Sequence, residues 1–590
     1  VQESSWMNII HALSAGFLLD LSTVGYLIAA PLLLTVLYFI FKARWIAFLN
    51  DYFVYILILL YCLTSFGELC LYEEWKTKLN VQALLHFTHP AEVFQSATFK
   101  LTFLFFSLVI CFTVFYVLLY NQKLALRKAE YFPAIILWKR FLVGFIMLLL
   151  FLTLDAMIIR GGLKPIPISE SEAYYSPNRI LNDAAVNPLW SLGHNIMEYN
   201  SHQKSNPYHV MPDEEADKIM GELFNTDFDS TEYILTTPKP NIVIIILESY
   251  SALTIPNFGG DSFALFIDSL SKQGIVFTNC YSSAYVSDQG IPAILSSYPS
   301  SPRMAITNQT SKSLNLPCLN KDLKQLGYNS GFYFGGQLNY GNIKSYLYNM
   351  HFDVVKEHKD FPAGMTEGKL GIHDKDMAKL FLKELNNSRP PFLKCWFTIS
   401  SHSPYDIPEP LKPLINHRQN PYINTIVYTD NAIRGFFTEA KKQSWFKNTL
   451  FVIVADHSHE NQKDIDFEHK DFHHIPLFFY GDVIKPELHG KKIEGVFSQL
   501  DIVPTLLHQF KLNSAQYLFG KNMLNPETKH FAFYYFFHGT GFVTDSCFAS
   551  FGKDRKELLK TNCSDSLQLS SIKKMDEAFL QKEFEDYLSR

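Results

Sequence analysis

Charge is what this sequence has least of. Only 18% of its residues are Asp, Glu, Lys or Arg, against about 25% in an average soluble domain. The net charge of −5 contains no dense basic run, which argues against nucleic acid as a partner. The eight cysteines form no CxxC pair and no regular framework, so neither a CxxC-type site nor a disulfide scaffold is indicated. Internal repeats and low-complexity tracts are missing too, and the composition excludes a disordered, collagenous or coiled-coil chain.

The charge deficit is concentrated at one end. From Ser22 to Ile159 the sequence is mostly apolar, whereas Arg160 to Arg590 reads as ordinary globular protein. A spanning helix needs about 20 apolar residues. Val24–Phe41, Tyr52–Phe66 with its flanks, Leu101–Tyr120 and Phe141–Ile158 meet that need. Lys42 and Arg44 follow the first stretch, and Lys123, Arg127, Lys128, Lys139 and Arg140 follow the third. By the distribution of Lys and Arg both loops are cytoplasmic. The loop Gly67–Phe99, with Glu68, Glu73 and Glu74, is then outside, as is everything after Ile159. The segment before Val24 falls outside as well, and with valine as first residue an additional span upstream is expected. Cys62 and Cys111 lie inside apolar stretches, leaving Cys547 and Cys563 as the favoured pair to bridge.

Four regions are expected: a transmembrane helical domain over 1–159, a linker with short helices over 160–239, an α/β domain over 240–510, and a C-terminal small sheet and helix over 511–590 completing it. The run Asn241–Leu247 between Pro240 and Glu248 fits a strand buried on both faces. Similar runs occupy Gly331–Phe334, Phe392–Ile399, Leu450–Ala455 and Leu477–Tyr480. Helical patterns at Ser262–Gln273, Asp374–Leu385 and Thr429–Lys442 lie between them. Alternation of this kind predicts a central, mostly parallel sheet. His530–Gly552 alternates aromatic and small residues and predicts a small antiparallel sheet, followed by a helix over Ser571–Leu588.

In open α/β sheets ligands sit beyond the carboxyl ends of the strands. Two of the apolar runs end there in polar residues: Leu247-Glu248-Ser249 and Ala455-Asp456-His457-Ser458-His459-Glu460. Carboxylates and an imidazole at neighbouring strand ends are suitable ligands for a divalent ion. Glu248 alone reads equally well as an acid at a helix start, and His459 and Glu460 either support the ligands from behind or are merely exposed, the second reading being favoured. Ser287 opens the stretch Ser287–Pro299; a hydroxyl there is either an N-cap or a nucleophile whose alkoxide is stabilised by backbone N–H groups and a metal. His402, in a Ser/Pro loop, is either a surface histidine or a substrate contact.

Asn241–Ser249, Ser287–Pro299 and Leu450–His457 together resemble the sulfatase/alkaline-phosphatase superfamily. Within it, the sequence resembles the membrane enzymes typified by lipoteichoic acid synthase and by phosphoethanolamine transferases. Further motifs carry the resemblance: Phe334-Gly-Gly336 with Asn339-Tyr-Gly-Asn342, Thr398-Ile-Ser-Ser-His402-Ser-Pro404, Tyr428-Thr-Asp430-Asn, His473-His474-Ile-Pro476 and Ser498-Gln-Leu-Asp501-Ile-Val-Pro504. It implies a helical membrane bundle, usually of five helices, before an external catalytic domain of alkaline-phosphatase-like fold.

The resemblance implies that Glu248, Ser287, Asp456 and His457 bind one divalent metal, Mn²⁺ or Zn²⁺ before Mg²⁺, and that Ser287 is the nucleophile where the branch usually has threonine. It also implies substrate-binding roles for His402, Asn339 and one of the tandem His473 and His474. The implied reaction moves a lipid head-group phospho-unit, phosphoglycerol or phosphoethanolamine, to an envelope glycan or lipid through a phospho-serine. A hydrolase of the same fold and a non-catalytic sensor are the alternatives. The implied place is a bacterial cytoplasmic membrane, multi-pass, with the catalytic domain outside. Two departures bear on the substrate. Phe334 and Gly341-Asn342-Ile343 stand where lipoteichoic acid synthase has its glycerol-phosphate pocket residues. Cys280-Tyr-Ser-Ser-Ala also lacks the Cys/Ser-x-Pro-x-Arg pattern of true sulfatases.

Overall fold

Seven consecutive residues, Asn241–Leu247, are buried and form strand β1, because a run of β-branched residues with no polar face needs covering on both sides. Parallel partners supply that cover: β5 (Phe392–Phe397) on one edge and β6 (Thr449–Ala455) on the other. In the computed structural model these strands centre a nine-stranded sheet. The structure describes residues 6–75, 78–79, 99–128, 136–163, 167–176, 178–202, 206–226, 228–300, 305–408, 421–459, 465–536, 539–552 and 557–590. Most of the expected external loop Gly67–Phe99 lies outside these residues, and so does Glu460.

The remaining strands of the sheet are β2 (Ile275–Tyr281), β3 (Asn329–Phe334), β4 (Val354–Lys356), β7 (His474–Ile475), β8 (Leu477–Tyr480) and β9 (Lys492–Ser498). The order is β4-β3-β5-β1-β6-β8-β2, with β7 and β9 also paired to β2. Pairing is parallel from β4 to β6 and between β2 and β9, and antiparallel where β8 meets β6 and β2, and where β7 meets β2. Helices Asp374–Asn386 and Pro421–Ala440 pack together through Phe381, Phe436 and Phe437, against Trp396 and Phe451 of the sheet. A separate antiparallel sheet, β10 (Phe531–Phe536), β11 (Gly539–Thr544), β12 (Phe548–Gly552) and β13 (Leu558–Thr561), precedes the helix Ser566–Ser589. The expected fold, apolar helices followed by a mostly parallel α/β sheet and a small antiparallel one, is the one observed.

The chain divides into two compact units, Val1–Ser205 and Asn206–Arg590. In the first, four helices among the described residues are long and apolar enough to cross a membrane: α1 (Trp6–Phe41), α2 (Arg44–Trp75), α3 (Phe99–Lys123) and α4 (Leu137–Arg160). Two differ from expectation. Helix α1 extends unbroken to Trp6, well upstream of Val24, because Ile9, Ile10, Leu13 and Phe17 continue its apolar pattern. Helix α2 runs on through Glu68, whose carboxylate is neutralised by Lys78 at 2.6 Å. The Lys78 ammonium is buried and also donates to the carbonyls of Asp183 and Val186, tying the segment of short helices Arg179–Ala185 and Pro188–His202 to the end of α2.

Cys547 and Cys563 form a disulfide across 16 positions of sequence, bracketing β12 and β13. Constraining a loop of that length in the unfolded chain contributes about 3 kcal/mol. Replacing both cysteines by serine is therefore expected to lower the Tm of the full chain and its resistance to denaturant by about 2–4 kcal/mol. An unchanged Tm would mean that the β12–β13 pairing already holds the loop closed.

Candidate active site

Strands β1 and β6 are parallel and in register, Leu247 facing Ala455, so the next residue of each, Glu248 and Asp456, emerges side by side at the carboxyl edge of the sheet. Helix Ser287–Ser296 begins against the same edge. Its close approach needs Gly290, where a Cβ would stand 2.3 Å from the Asp456 carbonyl oxygen. That approach brings the Ser287 hydroxyl to donate to Glu248 Oε2 at 3.1 Å, with His457 Nε2 3.4 Å away. Glu248, Ser287, Asp456 and His457 are 2%, 7%, 0% and 8% exposed, so bulk water does not solvate the two carboxylates.

Each group is oriented by a specific bond. The His457 ring donates from Nδ1 to the Ser458 carbonyl at 2.7 Å, which leaves the Nε2 lone pair facing the cluster. Asp456 Oδ1 accepts from the backbone N–H groups of Ser249 and His457 at 2.9 and 2.8 Å. Asp456 Oδ2, 3.5 Å from His457 Nε2, is buried with no hydrogen-bond partner. Glu248 Oε1 accepts from the Ser249 hydroxyl at 2.6 Å. Behind it, the Glu248 N–H donates to Thr398 Oγ1 and the Glu248 carbonyl accepts from Ser401. Burial, and then the Asp456 charge beside it, push the Glu248 carboxyl well above its ordinary range. Two adjacent buried carboxylates with an orphaned oxygen lack a compensating positive charge. One ligand atom from each of Glu248, Asp456 and His457 lies within 4.8 Å of the others. Three oxygens and one imidazole nitrogen fit a single divalent ion.

The other expected site residues stand around this cluster in different ways. Asn339 opens a short 3-10 turn, Tyr340–Asn342, in which Gly341 at φ +55° lies flat against Asp288. Burial raises the Asp288 carboxyl to about 6. His402 is exposed on the loop after β5, one residue beyond Ser401, its Nδ1 donating to the Ser403 carbonyl. That loop is anchored by the buried Asp374 carboxylate, which accepts from Ile399, Ser400 and Thr429. His474 sits in β7 and bonds the Thr278 carbonyl through Nε2. His473 is fully buried, stacked on Tyr534, donating from Nε2 to the Phe467 carbonyl, with its Nδ1 unpartnered. His459 has a structural place: its ring stacks on Tyr422 and bonds the Tyr405 hydroxyl at 2.7 Å.

Sequence reasoning passed over Ser249, Gly290 and Tyr422. Glycine inside a helical pattern is a signal of close backbone approach, so Gly290 was findable. Ser249, at φ +52°, and Tyr422, whose hydroxyl bonds the Ser249 carbonyl at 2.7 Å, carry no signal in sequence.

Desolvation holds the His473 ring neutral, its pKa pushed down to about 3. A lowered folded-state pKa contributes stability above the unfolded value of about 6.5 that is lost as pH falls towards 3. His473→Gln keeps an N–H for the Phe467 carbonyl but does not titrate. Its stability is expected to fall less steeply than that of the wild type between pH 6.5 and 4 in denaturant titrations of the full chain. Equal slopes would refute a neutral buried ring.

Residues 240–512 match the family model described as Sulfatase. Lipoteichoic acid synthase 2 of Bacillus subtilis is 22% identical over 396 residues, covering 61% of this chain and 58% of that protein. Lipoteichoic acid synthase of Staphylococcus aureus is 25% identical over 326 residues, covering 50% and 49%. The chain thus spans about half the length of these relatives. Two solved structures share the fold. A protein of the alkaline phosphatase superfamily from Vibrio parahaemolyticus has a TM-score of 0.57 at 23% identity, over 65% of this chain and 98% of its own. The lipoteichoic acid synthase LtaP from Listeria monocytogenes has a TM-score of 0.53 at 17% identity, over 64% and 99%. Residues 240–512 are accordingly similar to the sulfatase family, and the chain resembles the lipoteichoic acid synthases in sequence and the two solved structures in fold.

Proposed function

We propose that the chain is a membrane-bound, metal-dependent phosphotransferase that takes a phospho-head-group from a membrane phospholipid and passes it to an alcohol of the cell envelope. The observation that carries this reading is the Ser287 hydroxyl held at 3.1 Å from Glu248 and 3.4 Å from His457 beside an unpartnered Asp456 oxygen. Glu248, Asp456, His457 and Ser287 would hold the ion. When bound, it supplies the positive charge that lowers the pKa of the Ser287 hydroxyl and offsets charge on the phosphoryl oxygens.

Ser287 opens a ten-residue helix, so the helix dipole adds to the stabilisation of an alkoxide there. Its oxygen attacks the head-group phosphorus. The P–Oγ bond forms as the P–O bond to diacylglycerol breaks, and the hydroxyl proton passes to water. The departing diacylglycerol oxygen takes a proton from His402, which is exposed on the loop after β5. In the second half, the acceptor hydroxyl returns that proton to His402 and attacks phosphorus as the P–Oγ bond breaks, and the departing Ser287 oxygen takes back a proton from water. Asn339 and His473 are assigned to the substrate side. His473 is preferred to His474, because its Nδ1 has no hydrogen-bond partner. The oxygen-rich donor set suits Mn²⁺, Zn²⁺ or Mg²⁺.

An extracytoplasmic position for the catalytic unit is supported by the Lys and Arg placement in the helix connections. It is supported separately by the Cys547–Cys563 disulfide, a bond that persists in oxidising compartments. The apolar helices α1–α4 would keep the unit at the membrane that contains its donor.

The test is intact-mass measurement of the full chain and of Ser287→Ala, each incubated with mixed phospholipids and Mn²⁺ or Zn²⁺. A head-group phosphate adduct on the wild type, mapped to Ser287 and missing from the variant, is expected. Asp456→Asn is expected to slow adduct formation by about 10²–10³-fold, as loss of one electrostatic element in a catalytic site does. Adduct that is released as free head-group phosphate without an acceptor would make the enzyme a hydrolase. Unchanged lipid and no adduct in either protein would refute both activities.

A further inference from the structure

Ser249 occupies the left-handed region at φ +52°, a conformation that strains any residue with a Cβ and that glycine adopts freely. Strain retained at a site is a reason to look for what the side chain does there. Ser249 follows β1 and lies 3% exposed between the two carboxylates. Its hydroxyl donates to Glu248 Oε1 at 2.6 Å and its backbone N–H donates to Asp456 Oδ1 at 2.9 Å. The left-handed turn is what lets one residue reach both. Tyr422 fixes the turn from behind: its hydroxyl donates to the Ser249 carbonyl at 2.7 Å and accepts from the Ser251 N–H at 3.2 Å.

The consequence is an oxygen count. Asp456 Oδ1 already accepts two N–H bonds, from Ser249 and His457, and only Oδ2 is left without a partner. Glu248 Oε1 is taken by Ser249, and Oε2 is the oxygen that meets the nucleophile. Each carboxylate therefore has one oxygen to give. With Ser287 Oγ and His457 Nε2 that makes four protein donors, enough for Zn²⁺ and, with substrate oxygens added, for Mn²⁺. Calcium takes six to eight oxygens and commonly a bidentate carboxylate.

We propose that Ser249, clamped by Tyr422, is a positioning residue that restricts Glu248 and Asp456 to one ligand oxygen each and so selects Zn²⁺ or Mn²⁺ against Ca²⁺. This rests on the reading of the cluster as a divalent-ion site given above.

The experiment is calorimetric titration of the chelator-treated full chain in detergent with Mn²⁺, Zn²⁺ and Ca²⁺ separately. The wild type is compared with Ser249→Ala, Ser249→Gly and Ser249→Thr, and the Tm of each ion-free protein is recorded. Loss of an outer hydrogen bond to a ligand changes metal affinity by roughly 10–100-fold. Ser249→Ala and Ser249→Gly are each expected to lose about that factor of preference for Mn²⁺ over Ca²⁺, and Ser249→Thr to restore it. Ser249→Gly, relieved of strain, is expected to keep or raise the ion-free Tm while losing the preference, a split that a purely structural role would not produce. Wild-type preference retained in both the Ala and Gly variants overturns the role of Ser249. A wild type that binds none of the three ions overturns the metal-site reading itself.

Discussion

Two carboxylates placed side by side out of water are the constraint on which the catalytic unit turns. The parallel register of β1 and β6 leaves Glu248 and Asp456 no alternative but to be neighbours, and like charges at such spacing are tolerable only where something positive compensates them. The surrounding chemistry reads as an answer to that problem. Backbone N–H groups of Ser249 and His457 converge on one Asp456 oxygen, the His457 lone pair faces the cluster, and the start of helix Ser287–Ser296 adds its dipole. A divalent ion held there would complete the balance.

How much of this was legible in the sequence depended on whether a feature is local. The strands β1, β5, β6 and β8 announced themselves because a run buried on both faces has a distinctive composition. β2, β7 and β9 did not: Ile275–Tyr281 mixes Thr278 and Asn279 with apolar residues, β7 is two residues long, and β9 begins Lys-Ile-Glu-Gly. Helix Pro421–Ala440 was half seen, its first turns hidden by Tyr422, Asn424 and Thr425. The candidate ligands could be picked because they terminate apolar runs. The features that set their geometry could not, since the φ of Ser249, the contact of Gly290 with Asp456 and the reach of Tyr422 exist only between segments remote in the chain.

The N-terminal unit follows a different logic, in which the shortage of charge makes the exceptions informative. Lys78 and Glu68 are buried as a pair, and the ammonium spends its remaining hydrogen bonds on two backbone carbonyls. Asp51 likewise accepts from the Tyr120 hydroxyl and the N–H of Leu126. Glu68 and Asp51 of α2 are thus used as ties between segments.

Strand β1 has a cost at the ribosome. Its pairing partners begin near Phe392 and Thr449, about 150 and 210 residues downstream of Asn241. At translation speeds of roughly 5–20 residues per second, Ile-Val-Ile-Ile-Ile-Leu waits on the order of ten seconds or longer before either neighbour exists. A segment so apolar and β-prone is a template for intermolecular pairing while it is uncovered. The residues that make the sheet edge rigid enough to present Glu248 are thus the ones most exposed to misassembly during synthesis, and the yield of folded protein should be sensitive to how quickly the second half of the chain is made.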